Sequence, residues 1–199
     1  MGVGSTALHC TLNWFPQSSD EVPMLWTVLS LLYSLVVMQE DMRSPRNQAI
    51  GLAFTGWAII QTLIYYKFQQ IYASFIVTFL LSALIVAIWT AVLAFGETDP
   101  KNRPIRVSLW VQGFTSFAVM GAAVWVADMH LCNYLMPYYL SLGTGGLTLH
   151  VVWHIVSAIG TYYTILFLTV IRMQHLKQDP VLEYVYGVVP VCKPPSKLI

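Results

Sequence analysis

Ionisable residues are scarce in this sequence: Asp, Glu, Lys and Arg make up 10% of 199 residues, nine acidic against ten basic, with a net charge of +1. No basic patch that would mark a nucleic-acid partner follows from so even a balance. Cysteine is rarer still. Three thiols, at Cys10, Cys132 and Cys192, are too few and too scattered for a disulfide framework or a sulfur metal cage. The chain also lacks an internal repeat, a low-complexity tract and a Gly-rich phosphate loop. Its first apolar stretch, Val3 to Leu12, has neither the charged flank nor the long apolar centre of a signal peptide, and it is too short to span a bilayer. It reads as the tail end of a helix. "MGVGST" formally matches an N-myristoylation pattern, but the topology derived below places it away from the cytosol, so the match is accidental.

What is abundant is hydrocarbon. Hydrophobic residues make up 57% of the chain and its mean hydropathy is +0.64, well outside the range of an ordinary soluble domain. Uncharged runs able to cross a hydrocarbon core of roughly 30 Å occur at Ala49 to Tyr66, Ile71 to Phe95, Val107 to Ala127 and His150 to Ile171, with a shorter one at Val22 to Met38. The expected fold class is therefore all-α: a polytopic membrane helix bundle of five spans preceded by a helical stub, forming one domain over residues 1–199 with a tail at 172–199. The basic residues give the orientation, because cytoplasmic loops retain Lys and Arg near helix ends. Nine of the ten fall on alternate loops, Arg43 and Arg46, then Lys101, Arg103 and Arg106, then Arg172, Lys177, Lys193 and Lys197, leaving only Lys67 on the other side. This split supports the count of five, sets the C-terminus in the cytoplasm and leaves Met1 at the exoplasmic face.

In that topology Ser5, His9, Asp20, Asp128, His130, His150 and His154 all belong to the exoplasmic end of the chain's spans. Residues at i and i+4 share a helix face, so His150 and His154 can address one point, as can Ser5 and His9. Three neutral imidazoles and an open fourth position form a catalytic zinc arrangement, and coordination offsets the cost of burying polar groups. A carboxylate such as Asp20 would accept a proton there.

Other uses of the same residues stand beside this one. Two histidines at this spacing also serve interhelical hydrogen bonding, proton relay in a small transporter, or haem ligation. Ser5 fits a helix-packing role, and Asp20, beside Glu21 and ahead of Pro23, fits a cap on the first span. Asp128 reads as a solvated loop acid, His130 and His175 as loop or interface residues without an i+4 partner, and the many Trp and Tyr as interface anchors.

The ordered blocks "GSTALHCTL", "DEVPM", "WVADMHLC", "HVVWHIVSAIGTYY" and "YGVVPV" resemble those of the alkaline ceramidases. These belong to a superfamily of seven-helix membrane hydrolases that includes the adiponectin and progestin receptor-like proteins. The resemblance implies a zinc amidase that cleaves the N-acyl bond of ceramide to a sphingoid base and a free fatty acid. It assigns His9, His150 and His154 as zinc ligands, Asp20 as the carboxylate that orients and deprotonates the water, and Ser5 as a hydroxyl beside it. It further suggests a fungal type of enzyme acting on phytoceramide and dihydroceramide, in the endoplasmic reticulum or Golgi; nothing in it fixes the oligomeric state. The alternative from another class is a non-enzymatic lipid receptor of the receptor-like branch, using zinc for structure.

The resemblance also implies what this chain would lack. Family members carry an acidic, Asn-containing calcium site ahead of and within their first helix. Met1 here aligns inside the second helix, so the calcium ligands would be missing, and Cys132 would be without its N-terminal disulfide partner. Only about ten residues, a stub of about 15 Å at 1.5 Å per residue, would then hold Ser5 and His9, whereas a catalytic constellation needs support on the sub-ångström scale. The expectation is weak or absent turnover by the chain as given. Expression beside an upstream-extended form checks it: equal turnover by the two overturns the expectation.

Overall fold

A computed structural model of the chain describes residues 14–38, 43–68, 72–96, 100–143 and 148–193. These form two compact units, one running to Thr90 and the other from Ala91. Ser5, His9 and the expected stub lie outside the described residues.

The first unit is built from α1 (Trp14–Val36), α2 (Pro45–Lys67) and most of α3 (Tyr72–Phe95). Helix α1 starts well before the uncharged run at Val22 and passes through Pro23. Asp20 and Glu21 therefore lie inside the helix, and the capping role open to Asp20 from sequence does not apply. Helix α2 begins as its sequence dictates, with Pro45 where a missing N–H costs nothing and the Ser44 hydroxyl accepting from Asn47 N. Trp26 Nε1 donates to Thr62 Oγ1 at 3.0 Å, and Tyr33 meets Phe54 with ring centroids 6.0 Å apart, so α1 packs along α2. At one end Glu21 joins all three helices, accepting from Tyr65 at 2.5 Å and from Tyr72 at 2.9 Å. Their sequence positions suggested no more than an interface role; here their hydroxyls satisfy the Glu21 carboxylate.

The second unit contains the end of α3, then α4 (Arg103–Phe114), a π-helical segment (Thr115–Gly121), α5 (Ala122–Ser141) and α6 (Leu149–His175). The fourth expected span ended at Ala127, whereas the helix continues for another three to four turns to Ser141. An apolar count stops at the first acid, but backbone hydrogen bonding does not, and no helix breaker intervenes before Pro137. Asp128 and His130, read from sequence as loop residues, are thus helical. Four helical stretches among the described residues, Pro45–Lys67, Tyr72–Phe95, Arg103–Leu131 and Leu149–His175, are long and apolar enough to cross a membrane. Large apolar side chains such as Leu52, Leu80 and Val92 are exposed along them, as expected where lipid is the solvent.

Small residues set the central crossing of this unit. A Cβ on Gly160 would stand 2.7 Å from Phe117 N and Cβ and 3.0 Å from Gly113 O, so α6 touches the α4/π backbone directly. Gly121 comes against α6 one turn further on, where a Cβ would lie 3.2 Å from Ser157 Oγ. Between Gly113 and Gly121, eight residues at about 100° each would overshoot two turns by about 80° on a regular α-helix. The π segment, with more residues per turn, removes much of that overshoot and keeps both glycines against α6.

At the opposite end of α6, buried Arg106 donates to Gly96 O at 3.0 Å and to Gln174 Oε1 at 3.4 Å, tying the end of α3 and the end of α6 to α4. Arg172 and His175 occupy the last turn of α6, where the helix dipole favours cations. Arg172 to His175 are therefore helix rather than tail. Beyond them comes an antiparallel hairpin, β1 (Val181–Val185) with β2 (Val189–Lys193), in the register Val181↔Lys193 to Val185↔Val189. It turns through Tyr186 and Gly187, both at positive φ as a type I′ turn requires. Lys193 pairs with Glu183 across the strands, and Tyr162 donates to Pro190 O at 2.6 Å, laying β2 back along α6. Periodicity of the apolar spans carried no sign of this element.

Two measurements check these contacts. Gly160→Ala should destabilise the solubilised protein by about 1–3 kcal/mol through backbone overpacking. Gly56→Ala, where nothing lies within 4 Å, should be neutral or stabilising by up to about 1 kcal/mol; thermal midpoints in detergent separate the two. Burial raises the pKa of the Cys192 thiol. The thiolate is the reacting form, so alkylation of Cys192, with Cys10 and Cys132 replaced by Ser, should rise with pH at a midpoint above that of the unfolded chain.

Candidate metal centre

Helix α6 opens at Thr148, whose extended backbone is followed by Val151 N donating to Thr148 O at 3.0 Å, so His150 lies in the first turn and His154 in the second. The 3.6-residue period then does what the spacing predicted. The two imidazole centroids lie 4.7 Å apart, and Trp153 stands 5.4 Å from His150 and 4.6 Å from His154. Both histidines are half-buried. The indole covers part of the pair with apolar surface, limiting the water that reaches it.

A third group joins from α5. Asp128 Oδ2 lies 3.2 Å from His150 Nδ1, with the carboxylate side chain 16% and the imidazole 25% exposed. The solvated loop acid expected at Asp128 is thus corrected: the residue is on a helix and faces a histidine. The continuation of α5 past Ala127 brings it there, and the π segment with its glycine crossing sets the phase of that helix against α6. A carboxylate only accepts, so Nδ1 carries the proton and the ring's lone pair lies on Nε2.

Of the residues singled out by sequence, His150 and His154 are brought together in the C-terminal unit. Asp20 is buried in the N-terminal unit on α1, 2% exposed, in the same turn as the Glu21 that Tyr65 and Tyr72 hold. Ser5 and His9 lie outside the described residues. His130 is on α5 rather than in a loop, and His175 closes α6 at its far end, 25 positions after His150. Two adjacent imidazoles, one with its remote nitrogen engaged by a carboxylate, form a donor set that suits a divalent transition metal. Sequence reasoning missed Asp128 and Glu21. The one available signal for the former was the absence of a helix breaker between Ala122 and Asp128.

Comparison with known proteins identifies the family of the chain. The family model described as "Ceramidase" matches residues 1–193. The chain is 26% identical to alkaline ceramidase 3 of Mus musculus over 96% of its own length and 69% of that protein's. It is 25% identical to an alkaline ceramidase of Arabidopsis thaliana, covering 97% and 70% of the two chains. With alkaline ceramidase YPC1 of Saccharomyces cerevisiae it shares 27% identity over 89% of its length and 58% of that protein's. No solved structure matches. The match of the family model over nearly the whole sequence, together with membrane-length helices and a carboxylate-backed histidine pair, shows that the chain belongs to the ceramidase family.

Proposed function

We propose that this protein hydrolyses the N-acyl amide of ceramide at a zinc centre, releasing a sphingoid base and a free fatty acid. The observation that carries this reading is the His150–His154 pair on one helix face with Asp128 behind it, in a chain of the ceramidase family. The donor set fits zinc: neutral imidazoles are its usual nitrogen ligands, and a carboxylate on the remote nitrogen is the usual second partner. His9, His150 and His154 are the proposed ligands. When bound, zinc supplies Lewis acidity toward water and toward an amide carbonyl, which is a poor electrophile by itself.

The chain's own residues supply the proton transfers. Asp20 accepts a proton as the water oxygen bonds to the carbonyl carbon, then delivers it to the amine nitrogen as the C–N bond breaks. Burial of Asp20 suits that role, since a base shielded from bulk water holds its proton for the leaving group. Ser5 hydrogen-bonds the carbonyl oxygen as charge develops on it. In this reading residues 1–199 form a single membrane domain, with the site at the exoplasmic end and the C-terminus in the cytoplasm as the nine basic residues suggest. Ceramide is a membrane lipid and enters laterally. Phytoceramide and dihydroceramide are the proposed species, and the endoplasmic reticulum or Golgi the proposed location.

Release of sphingoid base from ceramide, quantified by mass spectrometry on purified protein, tests this. Asp20→Asn should lower turnover by about 10²–10⁴-fold, the range of a lost general base. His154→Ala should abolish turnover, and chelation should suppress it until zinc is restored. Unchanged hydrolysis in His154→Ala would refute the zinc mechanism.

A further inference from the structure

Asp128 takes part in none of the steps above, yet it is the carboxylate that addresses the histidine pair from a neighbouring helix. Its placement depends on several independent features: the unbroken run of α5, the π segment and the glycine contacts with α6. A half-buried acid at this depth is expensive unless something pairs with it, and His150 Nδ1 does so at 3.2 Å. The bond has two consequences. It selects the imidazole tautomer whose lone pair is on Nε2, and it restrains rotation of the ring about its Cβ–Cγ bond. Trp153 packs against the same imidazole, its centroid 5.4 Å away, so the ring is restrained by packing as well as by the carboxylate.

We propose that Asp128 is a positioning residue for the metal: it holds His150 in the tautomer and orientation that present Nε2 to zinc, and it increases the electron density on that nitrogen. This rests on the zinc reading of His150 and His154. Asp128 acts through His150 rather than on substrate or water. Its effect is on how tightly the metal is retained and on the ligand field that His150 provides, and loss of such a partner typically weakens metal affinity by about 10–100-fold.

The test uses the full chain in detergent, with zinc per chain measured after equilibration against a graded series of competing chelator, and with the visible bands of the cobalt-substituted protein as a second readout. Asp128→Ala should release zinc at about 10–100-fold lower chelator strength than the parent and shift the cobalt bands. Asp128→Asn, whose amide oxygen accepts the same hydrogen bond without the charge, should recover part of the loss. Asp179→Ala, which removes an exposed partner of Lys101, should match the parent, and His154→Ala should hold no zinc. Asp128→Leu, with the same branching of side-chain heavy atoms and no acceptor, replaces Asp128→Ala if the latter is not monodisperse. A chelator curve for either variant superimposable on the parent's, with His154→Ala empty, overturns the proposal and leaves the zinc reading standing. Full zinc retention by His154→Ala overturns the zinc reading and this proposal together.

Discussion

Hydrocarbon offers a polar group no partner, so a polar group carried into the membrane must be met from within the protein. That constraint explains why the spans are helical, and it accounts for the few side-chain bonds that organise them. In the first unit Glu21 is met by Tyr65 and Tyr72, which draws three helices together in the turn that also carries Asp20. In the second, Asp128 is met by His150, and buried Arg106 by Gly96 and Gln174. The bonds of Tyr65 to Glu21, His150 to Asp128 and Arg106 to Gly96 and Gln174 are part-buried, so removing one partner costs more than the bond's net contribution would suggest. The few polar residues along the helices of this ceramidase-family chain thus organise its packing.

Packing at the glycines supplies what such bonds cannot. Between apolar helices in lipid there is no hydrophobic drive to associate, and close backbone contact through small residues takes its place. Gly113, Gly121 and Gly160 provide that contact, and the π segment keeps the first two on one face over a length at which a regular helix would have rotated away. The phase of α5 follows from this, and with it the direction of Asp128. A packing detail two to four turns away therefore contributes to how the His150 imidazole is held by its carboxylate partner.

Much of this was legible in the chain itself. Apolar runs located the long helices of α2, α3 and α6 to within a few residues at most ends, because lipid imposes a composition that little else in a sequence imitates. The i, i+4 spacing of His150 and His154 predicted their convergence, since it depends only on helix geometry. The limits of the first and fourth spans were less legible. There the helix extends through ionisable residues, Asp20 and Glu21 in one case and Asp128 and His130 in the other, at which an apolar count stops. The hairpin at Val181–Lys193 was not legible, being held by register, a left-handed turn and one tyrosine hydroxyl rather than by a periodic pattern.

Composition and periodicity determined that the chain is a helical membrane protein, where its helices lie and which two histidines share a face, because each of these is a property of consecutive residues. The ordered motif blocks carried its family. Tertiary structure alone decided that Asp128 belongs with His150, that Glu21 is held by two tyrosines and that the α4/π backbone runs against Gly160. These pairs lie 22 to 51 positions apart in the chain, and helix phase and crossing geometry, which no local pattern encodes, bring them together.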